Sequence, residues 1–218
     1  GFRAALDLSG RDDVALVLRG GSPDELSSAF SREEVSVIVS APGIVRDAGG
    51  PIASPEFYTI VDLPMRSTGT GANVPFRGVT ARAVGVREDF RIVAGRMFER
   101  GRDEVVVGRG VFAQFGNVDL GQEVKWGSHT WRVVGVFEAG GSVSESEVWT
   151  DLSVLQGVYR RGNSVQVVRA QLTSPEALAG IPSYVPGVAP TVPGHEVVAR
   201  IVAVGDAVTH HRTGERVL

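Results

Sequence analysis

The sequence predicts an α+β fold: a split β-α-β subdomain built from both ends of the chain, with a β-rich insertion between them. Three observations lead there. Residues 14–63 read as strand, helix, strand. Residues 148–176 alternate strand with helix again. The stretch between them lies between Gly/Ser segments at 67–73 and 140–142 and carries short strands and a hairpin. The expected boundaries are residues 1–66 and 143–218 for the split subdomain and 74–142 for the insertion.

Taken in order, Val14 to Arg19 is a short apolar run closed by Gly20-Gly21, the pattern of a buried strand. Ser31 and Glu34 stand at capping-box spacing, and Phe30 and Val35 at the spacing of a hydrophobic staple, so a helix starts there. Val35, Ile38 and Val39 recur at helical spacing until Pro42-Gly43 stops them. Residues 57–63 form a second strand closed by Pro64, and residues 67–73, Ser-Thr-Gly-Thr-Gly-Ala-Asn, read as a flexible connection. In the insertion, 104–107 is a strand. Residues 109–115 are a short helix with Val111, Phe112 and Phe115 on one face and Gly116 as its cap. Strands 122–126 and 130–137 meet through Gly127-Ser128-His129 as a hairpin. Gly140-Gly141-Ser142 is a second flexible joint. Val148-Trp149 is a strand, 152–159 a helix, and 165–172 a strand; Ser174-Pro175-Glu176 opens a further helix. Residues 197–204, seven of the eight apolar, are expected to return as the last strand of the split subdomain; a tail hairpin with 208–217 is the alternative.

Composition narrows the function classes. Apolar residues are 43% and charged residues 22%, an ordinary globular balance. A net charge of −3 argues against a generally basic nucleic-acid binder, and no nucleic-acid partner is expected. No apolar run approaches the roughly 18 residues that a membrane helix needs. Neither a spanning helix nor a signal-peptide pattern is expected in this sequence. Cysteine is absent, which excludes disulfides, thiolate zinc sites and a cysteine nucleophile. All 22 basic residues except Lys125 are arginine.

No catalytic constellation emerges. His129 sits at a hairpin tip, and the adjacent pair His210-His211 would face opposite ways on a strand. No phosphate-binding Gly-rich loop ending in Lys-Ser/Thr and no Gly-x-Ser-x-Gly elbow occurs. Gly69-Thr70-Gly71 lacks a following helix to aim amides at a phosphate. Glu145 and Glu147, in Ser-Glu-Ser-Glu, are read as alternating residues on a solvated edge rather than an acid/base pair. Arg160-Arg161 is too small a basic patch for nucleic acid. Phe98, Phe112, Phe115, Trp126, Trp131, Phe137 and Trp149 recur at strand or helix periodicity. Core packing explains most of them, and an exposed subset would form an interaction patch. The expectation is no catalytic residue, no cofactor and no metal site.

Several segments together carry a resemblance. They are Phe90-Arg91-Ile92-Val93-Ala94-Gly95-Arg96-Met97-Phe98, Asp103-Glu104-Val105-Val106-Val107-Gly108, Gly116 and Gly121, and Val133-Val134-Gly135-Val136-Phe137. Upstream, Ser31-Arg32-Glu33-Glu34-Val35 leads to Ala41-Pro42-Gly43, and Asn73 to Val79 follows. Over about residues 1–178 the chain resembles the periplasmic core domain of MacB-like, FtsX-like ABC transporter permeases. The resemblance implies a subdomain similar to the porter modules of efflux pumps, an inserted β-rich subdomain, and no catalytic residues. It implies ATP hydrolysis in a separate domain or subunit, and a location on the periplasmic face of the bacterial inner membrane. The implied partners are an ATP-binding cassette subunit acting through membrane helices, a periplasmic adaptor protein or lipoprotein, and a second permease copy in a dimer. The implied role is export: relaying ATP-driven movement of membrane helices to a substrate or partner protein. Residues 69–71 and 140–141 are the candidate joints between rigid lobes.

The tail differs. Pro193-Gly194-His195-Glu196-Val197-Val198, then 201–209 and Gly214-Glu215-Arg216-Val217, resemble the GroES-like domain of zinc-dependent medium-chain alcohol dehydrogenases. That resemblance maps a zinc-binding His to His195, with Glu196 beside it. The catalytic Cys and the nucleotide-binding domain have no counterpart here, so no zinc enzyme is expected from this remnant. The rival readings of function are therefore a zinc-dependent oxidoreductase fragment and an adhesion or scaffold domain.

Overall fold

The computed structural model describes residues 11–181, together with the backbone of three strands, Phe2–Leu6, Ala199–Arg200 and Arg216–Val217. In chain order the first elements are β1 (Phe2–Leu6), β2 (Val14–Arg19), α1 (Arg32–Val39), β3 (Arg46–Asp47), β4 (Gly50–Pro51), β5 (Ala53–Pro64) and β6 (Gly71–Val79). Next come β7 (Phe90–Gly95), β8 (Glu104–Gly108), α2 (Arg109–Gln114), β9 (Glu123–Trp126), β10 (His129–Ala139), β11 (Val148–Asp151) and α3 (Leu152–Val158). The last are β12 (Val167–Gln171), β13 (Ala199–Arg200) and β14 (Arg216–Val217), and short 3₁₀ turns join several of these elements. The fold is α+β, as the sequence predicts. The chain divides into two compact units, Gly1–Pro55 with Val165–Leu218, and Glu56–Ser164.

In the first unit β2 is flanked by β1 and β12, both antiparallel to it, so a strand from each end of the chain lies beside the other. Val14, Ala15, Leu16, Val17 and Leu18 are all buried, as befits an apolar run enclosed on both faces. Helix α1 begins where the sequence places it. Glu34 N donates to Ser31 Oγ at 3.3 Å, and Ser31 N donates to Glu34 Oε2 at 2.8 Å, closing the capping box. The same Glu34 carboxylate receives Arg19 Nη2 at 2.6 and 2.7 Å, which ties the end of β2 to the first turn of α1. Phe30 is buried and bridges to Val165. The segment after Ser174 is a 3₁₀ turn, Pro175–Gly180, rather than an α-helix. Gly180 ends the turn and Pro182 follows in the sequence, which leaves too little chain to propagate an α-helix.

The described part of the tail pairs as in the alternative hairpin. Of residues 197–204, the described pair Ala199–Arg200 forms β13 and pairs with β14, antiparallel. The rest of that segment lies outside the described residues, as do His195, Glu196, His210 and His211.

In the second unit the sheet order is β5-β6-β11-β8-β10-β7, with β9 also on β10. β5 and β6 form a long hairpin from Phe57↔Gly78 to Pro64↔Gly71. β6 and β11 are parallel, as are β8 and β10, while β11 runs antiparallel to β8. Every residue of β8 is buried. One face of the sheet packs Phe57, Phe76, Trp126 and Trp131 beneath α2 and α3; the other packs Val79, Phe137 and Trp149. The β9–β10 hairpin turns at Gly127, whose φ of +62° suits glycine.

The two Gly-rich segments read as joints are turns inside this second unit. Residues 67–70 close the β5–β6 hairpin, where Met65 N donates to Thr70 O at 2.9 Å. Gly140 and Gly141 both have positive φ, and the Glu145 carboxylate accepts from Ala139 N at 2.9 Å and Gly141 N at 2.8 Å. Composition alone cannot separate a glycine turn pinned by a carboxylate from a hinge. The Ser31 cap, by contrast, has a calculable weight: Ser31→Ala is expected to lower stability by about 1 kcal/mol, read as an earlier urea midpoint with an unchanged slope.

Candidate functional site

Four charged side chains meet in the interior of the second unit, all nearly sealed from water. Glu56 opens this unit on β5, Arg77 lies on β6, Glu147 immediately precedes β11, and Arg87 follows the 3₁₀ turn Ala81–Val86. Strand pairing brings most of them together. β5 and β6 set Tyr58 opposite Arg77, and the parallel β6–β11 pair sets Arg77 opposite Trp149. The chain around Arg77, Phe76-Arg77-Gly78-Val79, is buried throughout, so its guanidinium has no route to solvent.

The geometry compensates each charge. Arg77 forks onto Glu147, Nε to Oε2 at 3.0 Å and Nη2 to Oε1 at 2.8 Å, while its Nη1 donates to Glu56 Oε2 at 3.1 Å. Arg87 Nη2 donates to the same Glu56 oxygen at 3.0 Å, and its Nε donates to Ser144 Oγ at 3.1 Å. Trp149 Nε1 donates to Glu147 Oε2 at 2.7 Å. Both guanidiniums also stack on rings, Arg77 over Tyr58 at 4.7 Å and Arg87 over Trp149 at 4.9 Å. Two positive and two negative groups leave the network neutral, the condition under which buried charge is tolerated. Burial pushes the Glu147 carboxyl up, but the Arg77 charge and hydrogen bonds, helped by Arg87 and the Trp149 indole, outweigh it and hold the group below its ordinary value of 4.5.

A carboxylate clamped by arginines and closed to water is not a proton shuttle. This chemistry joins segments rather than transforming a substrate. The reading of Glu145 and Glu147 as a solvated edge is corrected here: Glu147 is buried in the ion pair, and Glu145 holds the Gly140-Gly141 turn. A lone arginine in an apolar run beside glycine was the available signal, since such a charge must find a buried partner.

The other residues singled out by sequence lie apart from this network. His129 Nε2 is 2.8 Å from Asp103 Oδ1, and its ring lies 4.7 Å from Trp131. No group of three or more metal-ligating side chains occurs among the described residues. Arg161 lies over Phe57 at 5.8 Å, and Arg160 takes a positive φ of 53°. Phe98, Trp126, Trp131, Phe137 and Trp149 are buried, and Phe112 and Phe115 pack partly buried against the core.

The network carries a pH dependence. A carboxylate held below its ordinary pKa contributes stability that is complete above that value and is lost as pH falls through the folded one. Glu104 adds to this, held down by its hydrogen bonds to Arg96. Acidification from pH 7 to about pH 3 is therefore expected to lower the urea midpoint. Glu147→Gln should cost about 3 kcal/mol or more at neutral pH and show a smaller further loss on acidification.

Comparison with known proteins places this architecture. The MacB-like periplasmic core domain family matches residues 2–185. The extracellular domain of the noncanonic ABC-type transporter YknZ from Gram-positive bacteria is similar in fold, with a TM-score of 0.51 and 15% identity over 82% of this chain and 85% of that one. The periplasmic region of MacB from Actinobacillus actinomycetemcomitans gives a TM-score of 0.53 and 15% identity over 73% and 74% of the two chains. No curated protein matches. The family match stops short of the dehydrogenase-like residues at 190–218. It spans most of the sequence, and the chain belongs to the MacB-like periplasmic core domain family, the extracytoplasmic domain of ABC transporter permeases.

Proposed function

We propose that this domain relays movement of its permease's membrane helices, driven by ATP hydrolysis in a separate ATP-binding cassette subunit, to an exported substrate or to a partner protein. The domain itself performs no chemistry. Its partners on this reading are the ATP-binding subunit, reached through membrane helices, a periplasmic adaptor or lipoprotein, and a second permease copy. It acts at the periplasmic face of the inner membrane.

One observation carries the reading: the chain passes between two separately packed units at only two points, and it is pinned on both sides of each. At the first crossing Gln171 N donates to Ile52 O at 2.9 Å in the first unit, and Glu56 is clamped by Arg77 and Arg87 in the second. The four steps between these pinned residues span at most about 14 Å. Strand β5 already runs extended from Ala53. At the second crossing Gln156 Nε2 donates to Ser164 O at 2.8 Å, and the next residue, Val165, exchanges backbone hydrogen bonds of 2.7 and 3.1 Å with Phe30. Connectors this short, each pinned within its own unit, leave little chain to absorb a displacement, and this supports the relay reading.

A spacer tests this. Inserting about six Gly/Ser residues between Ser164 and Val165 lengthens the second crossing between its two pinned ends and lies outside every strand, and longer connections of this kind cost little chain entropy. In the membrane-embedded permease with its ATPase subunit, ATP hydrolysis should stay within about twofold of the parent while export falls at least tenfold. Unchanged export would contradict the relay.

A further inference from the structure

We infer that the turn after α3, Tyr159-Arg160-Arg161-Gly162-Asn163, docks an acidic segment of a partner protein, whose carboxylates accept from the two guanidiniums and the Tyr159 hydroxyl. The inference deepens the relay reading by naming a contact for the partner, and its part in export rests on that reading. The binding itself does not.

The turn is strapped into one shape. Tyr159 N donates to Leu155 O at 3.1 Å, Arg160 N to Gly157 O at 3.1 Å, and Arg161 N to Gln156 O at 2.9 Å. Arg161 O accepts from Ser164 N at 3.2 Å and from Ser164 Oγ at 2.8 Å. Two of the side chains rest on one buried ring: Tyr159 meets Phe57 at 5.7 Å, and the Arg161 guanidinium lies over it at 5.8 Å. Their polar ends stay unspent. The Tyr159 hydroxyl and both guanidiniums make no hydrogen bond or ion pair among the described residues, and residues 159–163 are all exposed. Most other arginines of this unit are ion-paired.

A helix C-terminus favours a nearby cation, which accounts for basic residues here but not for their placement. Arg160 sits at a φ of 53°, where an L side chain crowds its own backbone and glycine or asparagine fits more easily. The other described non-glycine residues with positive φ are Asp89 and Asn117, types that tolerate it. The sequence thus keeps a long cation at a strained position and leaves it unpaired, the pattern of a residue retained for a contact outside the chain. Tyr and Arg are the residue types that anchor protein interfaces, and a guanidinium forks onto a carboxylate. Attraction to an anionic lipid surface takes a cluster of roughly four to eight basic residues, more than this turn carries.

The test titrates the full chain with an end-blocked tetraglutamate peptide and follows amide chemical shifts. Saturable shifts at Tyr159 to Asn163 are expected, and none with tetraglutamine at the same concentrations. Arg160→Gly should weaken peptide binding about fivefold or more. Its urea midpoint should be no earlier than the parent's, since glycine relieves the strained position. Arg132→Gln removes an exposed arginine of β10 and should change binding less than about twofold. No saturable shift at the turn, equal shifts with tetraglutamine, or equal weakening by Arg132→Gln would overturn the inference. So would unaltered binding by Arg160→Gly, or weaker binding with an earlier midpoint, which would mark Arg160 as a structural residue. Phosphatidylglycerol vesicles that shift the same amides and displace the peptide would also overturn it, by assigning the turn to lipid. The comparison of the two peptides needs no variant, so it stands even if Arg160→Gly fails to fold. Peptide binding at the turn with unchanged export by Arg160→Gly in the permease would leave the docking site standing and separate it from the relay.

Discussion

Mutual neutralisation of buried charge is the constraint on which the second unit depends. Removing an ion from water costs several kcal/mol even after the protein relaxes, and only well-formed pairing offsets it. Here the offset takes the form of a fork from Arg77 to Glu147 and two guanidiniums on one oxygen of Glu56. These bonds join residues 56, 77, 87 and 147, which are far apart in sequence and enter from β5, β6, a 3₁₀ turn and the start of β11. An apolar core holds elements together but lets them slide among similar packings. A charge pair with fixed donors does not slide, because each small displacement exposes an uncompensated ion.

This constraint lies where the chain enters the second unit, and the relay proposed above draws on it. A domain that carries motion needs stiff bodies and short connectors, and the rigidity must reach the attachment points. The first unit provides its share through the Phe30–Val165 bridge and the backbone bond at Ile52; the second through Glu56 and Ser164. The Gly-rich turns at 67–70 and 140–141, which composition suggests as hinges, are internal to the second unit and tied down by their own hydrogen bonds.

Local signals in the sequence were legible where a short stretch decides the outcome. The Val14–Arg19 run, the Ser31 box and the Gly127 hairpin all have their causes within a few residues. Strand β1 and the order of the sheets were not legible, because pairing partners are chosen by long-range packing and Phe2–Leu6 carries no alternation that distinguishes it. The ionic network was hidden for the same reason. Glu147 in Ser-Glu-Ser-Glu has the local appearance of a solvated residue, and only the arrival of Arg77 from β6 makes its burial tolerable. Resemblance to a permease family reached the fold because it draws on the order of many segments at once, which no single motif here supplies.

The most direct measurement is a double-mutant cycle on the full chain, with Arg77→Met, Glu147→Met and the pair, followed by urea unfolding. Each single change strands a buried charge and should cost about 3–5 kcal/mol. The double change leaves Glu56 with Arg87, a balanced pair, so its cost should fall short of the sum of the singles by at least about 2 kcal/mol. Costs that add to within about 0.5 kcal/mol would show that these groups do not depend on one another, and would contradict the account.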